Sequence, residues 1–570
     1  MECFVSARRG GYIMSRDHNH RQHDNDHHNT FDFFNFDDFA LFSRAGFYGA
    51  GQHHHHDGHH GGDFHIAVEG DHWVLTNGHI THQISGDSVV LHGQTYLLVD
   101  HFGAGYQSIQ SAVNDAQNGA TVLVAGGTYA EQVTVHNTDL TIQGQGDATH
   151  VVAPDSLDVN IVDLAWTRTD KNAIIGVDGG NVNIKDLSID GLGHGDQLSH
   201  DLGSADFEGI YYYNASGKID GVSVTGIREP LHGDGSLSGN QLGNGILISN
   251  TDGMARTVEV SHSTVTDFQK TGMVFNGDGL TVKVDHNTVV GNGLQPLGSP
   301  AQNGIQISRG ATGEVEHNSV SDLGYGPDSW SASGILVYGS DDVMVDHNHV
   351  VMTGDSMDAA IAFVDADNPT ATHNDVTATF GIYQQAAYDS FTHELNQSHN
   401  TFHDATVAVG FYGSGYVGFG APEVTTSFNF TGSSGNDEIW GANGSDVLNG
   451  GRGDDSLRGD SSSFHGYDAD YGANFFGTQT GDDTYVFDRH SGNDTIVDYG
   501  QVAGNRDVMD VSAYRFHSFA DLQQHISDNG DGNAVIQLSE RDSITLEGVS
   551  ASQLTQDDFI IHMQGHHVFI

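Results

Sequence analysis

From residue 209 onward a Gly or Ala followed by an apolar residue recurs: Gly209-Ile210, Gly245-Ile246, Gly272-Met273, Gly304-Ile305, Gly334-Ile335, Ala360-Ile361 and Gly381-Ile382. Each step opens a run of alternating side chains, the period of a β-strand. Ile246 and Ile248, Met273 and Phe275, Ile305 and Ile307, Ile335 and Val337, and Ile361 and Phe363 fall on one face and are expected to stack inward. A second marker follows one strand later in most repeats: His286-Asn287, His317-Asn318, His347-Asn348, His373-Asn374 and His399-Asn400. Its asparagines are expected at a turn, as an inward ladder of amides that satisfies buried backbone groups. Repeats of roughly 21 to 36 residues suit solenoid coils with variable loops on one face. The pattern predicts an all-β chain whose middle, residues 101–430, is a right-handed parallel β-helix with coils about 4.8 Å apart.

The chain ahead of the repeats divides in three. Residues 1–64 are rich in His, Asp and Phe without helix or strand period, and read as disordered. Their tract His53, His54, His55, His56, His59 and His60 is a candidate for transition-metal binding, because neutral imidazole is a good ligand. Residues 65–100 alternate (Ile66, Val68; Trp73, Leu75; Val89, Leu91; Tyr96, Leu98) and predict an N-terminal β cap of short hairpins, acting as a lid. Ser108 then precedes Ile109, Ala112, Val113 and Ala116, an N-cap followed by apolar residues at helical spacing. Short Gly-broken strands follow to Gly146. The run Gly103 to Gly146 resembles the opening of pectin-methylesterase-like parallel β-helix proteins, which implies that the helix plugs the end of the first coils.

The strongest local signal is at Gly432 to Arg458, where three tandem nonapeptides, GSSGNDEIW, GANGSDVLN and GGRGDDSLR, fit the pattern G-G-x-G-x-D-x-U-x. The glycines permit tight backbone turns, Asp437, Asp446 and Asp455 supply hard oxygen ligands for Ca2+, and Ile439, Leu448 and Leu457 point inward. Asp483 and Asp494 head two degenerate units. A calcium-bound parallel β-roll is predicted over 431–499, ordered only with its ion, and a C-terminal β cap over 500–570. From about Gly432 to Ile561, including Asp507-Val-Met-Asp-Val-Ser, a short helix around Phe519 to Ile526 and a hairpin from Ala534 to Val549, the chain resembles RTX proteins and serralysin-type peptidases. That resemblance implies recognition by type I secretion machinery through an uncleaved C-terminal signal, and so a secreted, extracellular protein. No H-E-x-x-H motif occurs, so the peptidase activity is not implied.

Charge agrees with calcium. Against 75 acidic residues stand 20 basic ones, a formal charge of -55, which repels itself unless cations bind. The same balance excludes nucleic acid as a partner, since phosphate binding needs clustered Lys and Arg. One cysteine, Cys3, leaves no internal disulfide. No apolar run reaches the ~18 residues of a membrane span, and the N-terminus lacks the apolar stretch of a secretory signal.

The outward residues of one strand column, Tyr211, Tyr213, Ser249, Asn276, Gln306, Ser308, Tyr338, Tyr383 and Gln385, form a polar and aromatic strip suited to sugars. Tyr213, Arg228, His232, Asp234 and Arg309 are the candidate catalytic residues: a scarce Arg neutralises a uronate carboxylate while Tyr or His exchanges the C5 proton. Insertions around Gly191 to Ser204, Glu229 to Gly243 and Gly291 to Ala301 are expected to wall a cleft. A further outward column, Asp285-His286, Glu316-His317 and Asp346-His347, has divalent-metal or acid/base chemistry, but its repetition in every coil reads as a structural ladder or weak cation stripe. A parallel β-helix joined to RTX repeats resembles mannuronan C5-epimerases and related polysaccharide lyases, although their Tyr-Gly-x-Asp-Pro-His-Glu motif does not occur. The resemblance implies a calcium-dependent enzyme acting on an acidic extracellular polysaccharide. The alternative is a non-catalytic, calcium-stiffened surface, matrix or adhesion protein.

Overall fold

The computed structural model describes residues 64–561 except 104, 164–168, 199–204, 328–330, 355–357, 386–394, 406, 413–428, 442–444, 460–480 and 503–504. The segment expected to be disordered, with its His tract, lies outside the described residues.

Each coil carries one strand in each of three parallel sheets. A representative coil runs Asn303–Ser308, Thr312–Glu316 and Ser319–Tyr325. Sheet 1 holds the Gly-apolar strands, from Val133–His136 and Thr169–Asp178 through Ala205–Tyr213 and Asn244–Ser249 to Val407–Tyr412. Register is strict: Ile210, Ile246, Met273, Ile305, Ile335, Ile361 and Ile382 lie side by side, and all are fully buried. The inward columns expected from alternation are therefore present. The glycine beside them has a packing cause. A Cβ on Gly304 would stand 2.5 Å from both Gly334 O and Val320 Cγ1, so the facing valine of the strand Ser319–Tyr325 needs that space.

The asparagine ladder is also present. Asn318 donates its backbone N–H to Asn348 Oδ1 (3.0 Å) and its Nδ2 to Val284 O (2.9 Å) and Asn348 Oδ1 (3.0 Å). The same pattern runs from Asn287 to Asn400.

At the N-terminal end the helix Ile109–Asp115 closes the core as expected, with Ser108 as N-cap and Ile109, Ala112 and Val113 buried. Glu131 accepts its first N–H groups at 2.9 and 3.0 Å. Ahead of it, His65–Glu69, His72–Thr76 and Thr81–Gln83 form an antiparallel sheet anchored by Trp73, whose Nε1 donates to Asp100 (2.9 Å).

At the other end sheet 1 does not stop. Val407–Tyr412 pairs in parallel with Glu438–Trp440 of the first nonapeptide, which pairs with Ser456–Arg458, then Asn493–Ile496, then Ser543–Leu546. A facing sheet collects Asn429–Thr431, Val447–Asn449, Thr484–Val486, Val508–Asp510 and Phe559–Ile560. Both sheets of the roll thus continue past residue 499, because the hairpin Ala534–Gln537 with Ser543–Leu546 supplies another strand in the same register. One hydrophobic core runs from Leu97 to Phe559.

Candidate functional site

Charged side chains gather where Thr169–Asp178 and Ala205–Tyr213 enter sheet 1. Lys171 pairs in register with Asp206, and Nζ binds Asp206 and reaches Glu208 Oε1 at 3.4 Å. Asp163 and Asp170 are buried beside them. The strand Ile161–Asp163 runs antiparallel to Thr169–Lys171, and Ile161 packs with Ala173, Tyr211, Leu247 and Val274. Tyr211 lies in the outward column as expected, yet it is fully buried because of this cover.

Enclosure sets the chemistry. Burial pushes Glu208 up to about 8, with Lys171 opposing. Burial works against the Lys171 ammonium, but Glu208 and Asp206 outweigh it and raise its pKa. Glu208 Oε1 also accepts from Asn244 Nδ2 (3.4 Å), whereas Oε2 is buried without a hydrogen-bond partner. The Tyr211 hydroxyl, beside Ser249, makes no hydrogen bond of ordinary geometry, and burial raises its pKa well above the usual value. At the same edge Lys270 donates to Ala301 O (2.6 Å), and burial brings it down to about 8.

The five residues singled out from sequence fall at two edges of sheet 1. Arg228, His232 and Asp234 lie where the chain enters it, ahead of Asn244–Ser249, while Tyr213 ends its strand and Arg309 follows Ser308 at the exit. Arg228 donates Nε to Asp267 (2.6 Å) and Nη1 to Glu229 O (3.1 Å), which braces the loop. His232 and Asp234 are exposed, and Asp234 accepts from Ser236 N and Oγ. Arg309 is exposed at φ 58°. Tyr213 is half-buried with its ring 6.0 Å from that of Tyr211, next to the buried cluster. The insertions do build a wall at the entry edge: Ser299 Oγ donates to Leu237 O (2.8 Å), and an open cleft is lined by Asp155, Leu192 to His194, Arg228 and Leu231. Beyond Tyr213, Asn276 and Gln306 remain half-buried and Tyr338 exposed, while Ser249, Ser308 and Tyr383 are buried by their neighbours.

The roll has its own site. Asp437, Asp446, Asp455, Asp483 and Asp494 are all at most 3% exposed, far below what unpaired carboxylates tolerate. They form two ladders. Asp437 N–H donates to Asp455 Oδ1 (2.9 Å) and Asp455 N–H to Asp494 Oδ1 (3.1 Å), while Asp446 and Asp483 donate in the same way to Asp483 and Asp507. Burial pushes Asp437 and Asp494 up to about 8 and Asp455 and Asp507 to about 7. Asp455 Oδ2 is buried without a partner, and a Cβ on Gly450 would stand 2.1 Å from it. These residues fit a calcium ion: hard oxygens, and glycine turns with no room for a side chain. When bound, the ion supplies the positive charge that lets the buried carboxylates ionise. Asp507, missed as a ligand candidate, continues the second ladder.

Residues 244–430 match the family described as right-handed beta helix region, and residues 429–461 match the RTX calcium-binding nonapeptide repeat. The chain is a right-handed β-helix protein with an RTX calcium-binding region. No curated protein sequence matches this β-helix protein. Similar solved structures include the Agl-KA catalytic domain, at 11% identity and TM-score 0.37, over 72% of this chain and 62% of that one, so the β-helix protein spans less than two thirds of that relative. Others are the A-module of a mannuronan C-5 epimerase from Azotobacter vinelandii (14%, TM-score 0.27, 52% of this chain and 94% of that one) and a pectin methylesterase from Erwinia chrysanthemi (11%, TM-score 0.27, 54% and 90%).

Outside the roll, the His286, His317, His347 column expected on the outward face is present and extends from His262 to His399, with ring centroids 4.5 to 5.6 Å apart.

Proposed function

We propose that this β-helix protein is an extracellular, calcium-dependent polysaccharide-modifying enzyme that cleaves or transfers glycosidic bonds with Glu208 as general acid and Asp206 as the second carboxyl. The observation that carries this reading is the buried Glu208 carboxyl, with its pKa at about 8 and Oε2 without a partner. A carboxyl kept neutral near pH 7 with a second carboxyl beside it is the kind of pair that glycoside cleavage uses. Lys171 holds both carboxyls on one ammonium, which favours the close spacing of retaining enzymes (~5–5.5 Å) over the wider inverting one. Ile161–Asp163, paired over three residues, is the strand that lifts to admit substrate. Tyr213, Asn276, Gln306 and Tyr338 then offer the surface along which a chain of sugars lies.

This departs from the acidic glycan expected from sequence. Asp206 and Glu208 both lie on the Lys171 ammonium, in a protein of formal charge -55, and such surroundings repel a uronate polymer. A neutral glycan is the better fit. Lyase or C5-epimerase action is the second reading, and the pairing of Lys171 with Tyr211 (5.8 Å, ammonium to ring) favours it.

Calcium-loaded protein is incubated with neutral β- and α-glucans, fructans, alginate and pectate. Reducing ends or shortened chains released from a neutral polymer, and lost in Glu208→Gln, support hydrolysis or transfer. Unsaturated uronate or solvent-proton exchange instead selects the second reading. Silence on every polymer favours a non-catalytic rod.

A further inference from the structure

We propose that the histidine column binds transition-metal ions, one held by Asp285, His286 and His317 and the next by Asp346, His347 and His373. In each triad the three ligand atoms lie within 4.8 Å of one another. Asp285 Oδ1 stands 2.7 Å from His286 Nδ1 and 3.4 Å from His317 Nδ1, and Asp346 stands 2.6 Å from His347 Nδ1 and 3.2 Å from His373 Nδ1. Ligands at bond lengths of about 2.0–2.1 Å around a tetrahedral ion sit roughly 3–3.5 Å apart, so small adjustments accommodate one. Two imidazoles and one carboxylate suit Zn2+, Cu2+, Ni2+ or Co2+, whereas Ca2+ takes oxygens.

Three features distinguish these triads from an accidental stripe. The backbone at each of the six column histidines, from His262 to His399, is left-handed, with φ between 50° and 59°. Preceding coils fill that turn with Asp186 (φ 55°) and Gly221 (φ 65°), residues that adopt it readily, so the six successive rings are not what the turn alone demands. Each ring from His286 onward is also followed directly by an asparagine of the buried ladder, which fixes the turn that carries it. Finally, the sites alternate. Glu316, the acid between them, turns Oε1 to Lys283 Nζ (2.7 Å) and leaves its other oxygen 4.0 Å from His317 Nδ1. The four rings are 43% to 53% exposed, so an ion enters from solvent and keeps water at its remaining position.

The test uses the full chain saturated with calcium, titrated with Zn2+ by calorimetry and with Co2+ by visible absorption, and melted with and without Zn2+. One variant is His286→Asn, His317→Asn, His347→Asn and His373→Asn combined, since Asn tolerates the same backbone. The N-terminal histidines remain in both proteins and cancel in the difference. The native chain is expected to bind about two more Zn2+ than the variant, to melt higher with Zn2+, and to show a tetrahedral Co2+ band that the variant lacks. Equal stoichiometry and equal melting shifts would overturn the proposal. Should the variant fail to fold, Asp285→Asn with Asp346→Asn leaves the turns untouched and is expected to weaken Zn2+ binding roughly tenfold or more; unchanged affinity there overturns it as well.

Discussion

Glu208 shows how much a single side chain's surroundings decide. Its folded pKa is raised to about 8, so at lower pH it carries the proton that the proposed general acid would donate, and on that proposal activity is expected to fall as pH rises through that value. Stability has the same sign, since a carboxyl raised above its unfolded value favours the fold at low pH and that contribution is lost through about 8. A pH-rate profile together with pH-dependent melting checks both. Glu208→Gln is expected to keep the fold and reduce turnover by about 100-fold or more. Lys171→Ala instead strands buried carboxylates and is expected to destabilise by about 3–5 kcal/mol, read from denaturant midpoints. Little of this cluster was legible in the sequence. Asp170-Lys171 and Asp206-Phe207-Glu208 look like ordinary solvated charge; in the fold Ile161–Asp163 pairs with Thr169–Lys171 and Lys171 with Asp206, and Asp170, Lys171 and Glu208 are buried. The usable signal was the Asp170-Lys171 pair, in a chain short of cations. Tyr213 was legible because alternation alone places it outward.

At the scale of turns and strands, sequence and structure agree most closely. The His-Asn marker, the Gly-apolar step and the nonapeptides each follow from contacts between neighbouring coils, so each repeats with the period of the chain. Asn318→Ala removes the acceptor of Asn287 N–H and the donor to Val284 O, both buried, and is expected to cost on the order of 2–4 kcal/mol, seen as a lower melting temperature with calcium present. The roll carries a sharper expectation. Asp437, Asp455, Asp494 and Asp507 have folded values of about 7 to 8 against an ordinary 3.8. Without calcium, protons do part of the ion's work: the roll is expected to gain stability as pH falls from about 8 toward 4, and to lose it as pH rises again. Circular dichroism in chelator across that window measures it. Loss of structure on acidification of the chelated protein would contradict the buried ladders.

Across the whole described solenoid, the boundary expected between helix and roll is a change in the number of sheets and not a break in the core. The sequence shows two kinds of repeat; it does not reveal that Glu438–Trp440 lands on Val407–Tyr412, because that register depends on residues far apart in the chain. Chelation is therefore expected to lower the melting temperature of the β-helix as well as unfold the roll, whereas a protein with independent parts would keep the helix transition unchanged in calorimetry.

The continuous sheet has one more consequence. Were the roll to come undone, Val407–Tyr412 would offer a bare row of backbone donors and acceptors, the template on which another molecule's strand can dock. Calcium is then expected to act as a stopper against end-to-end polymerisation, and depleting it to start fibril growth at a rate that climbs with concentration.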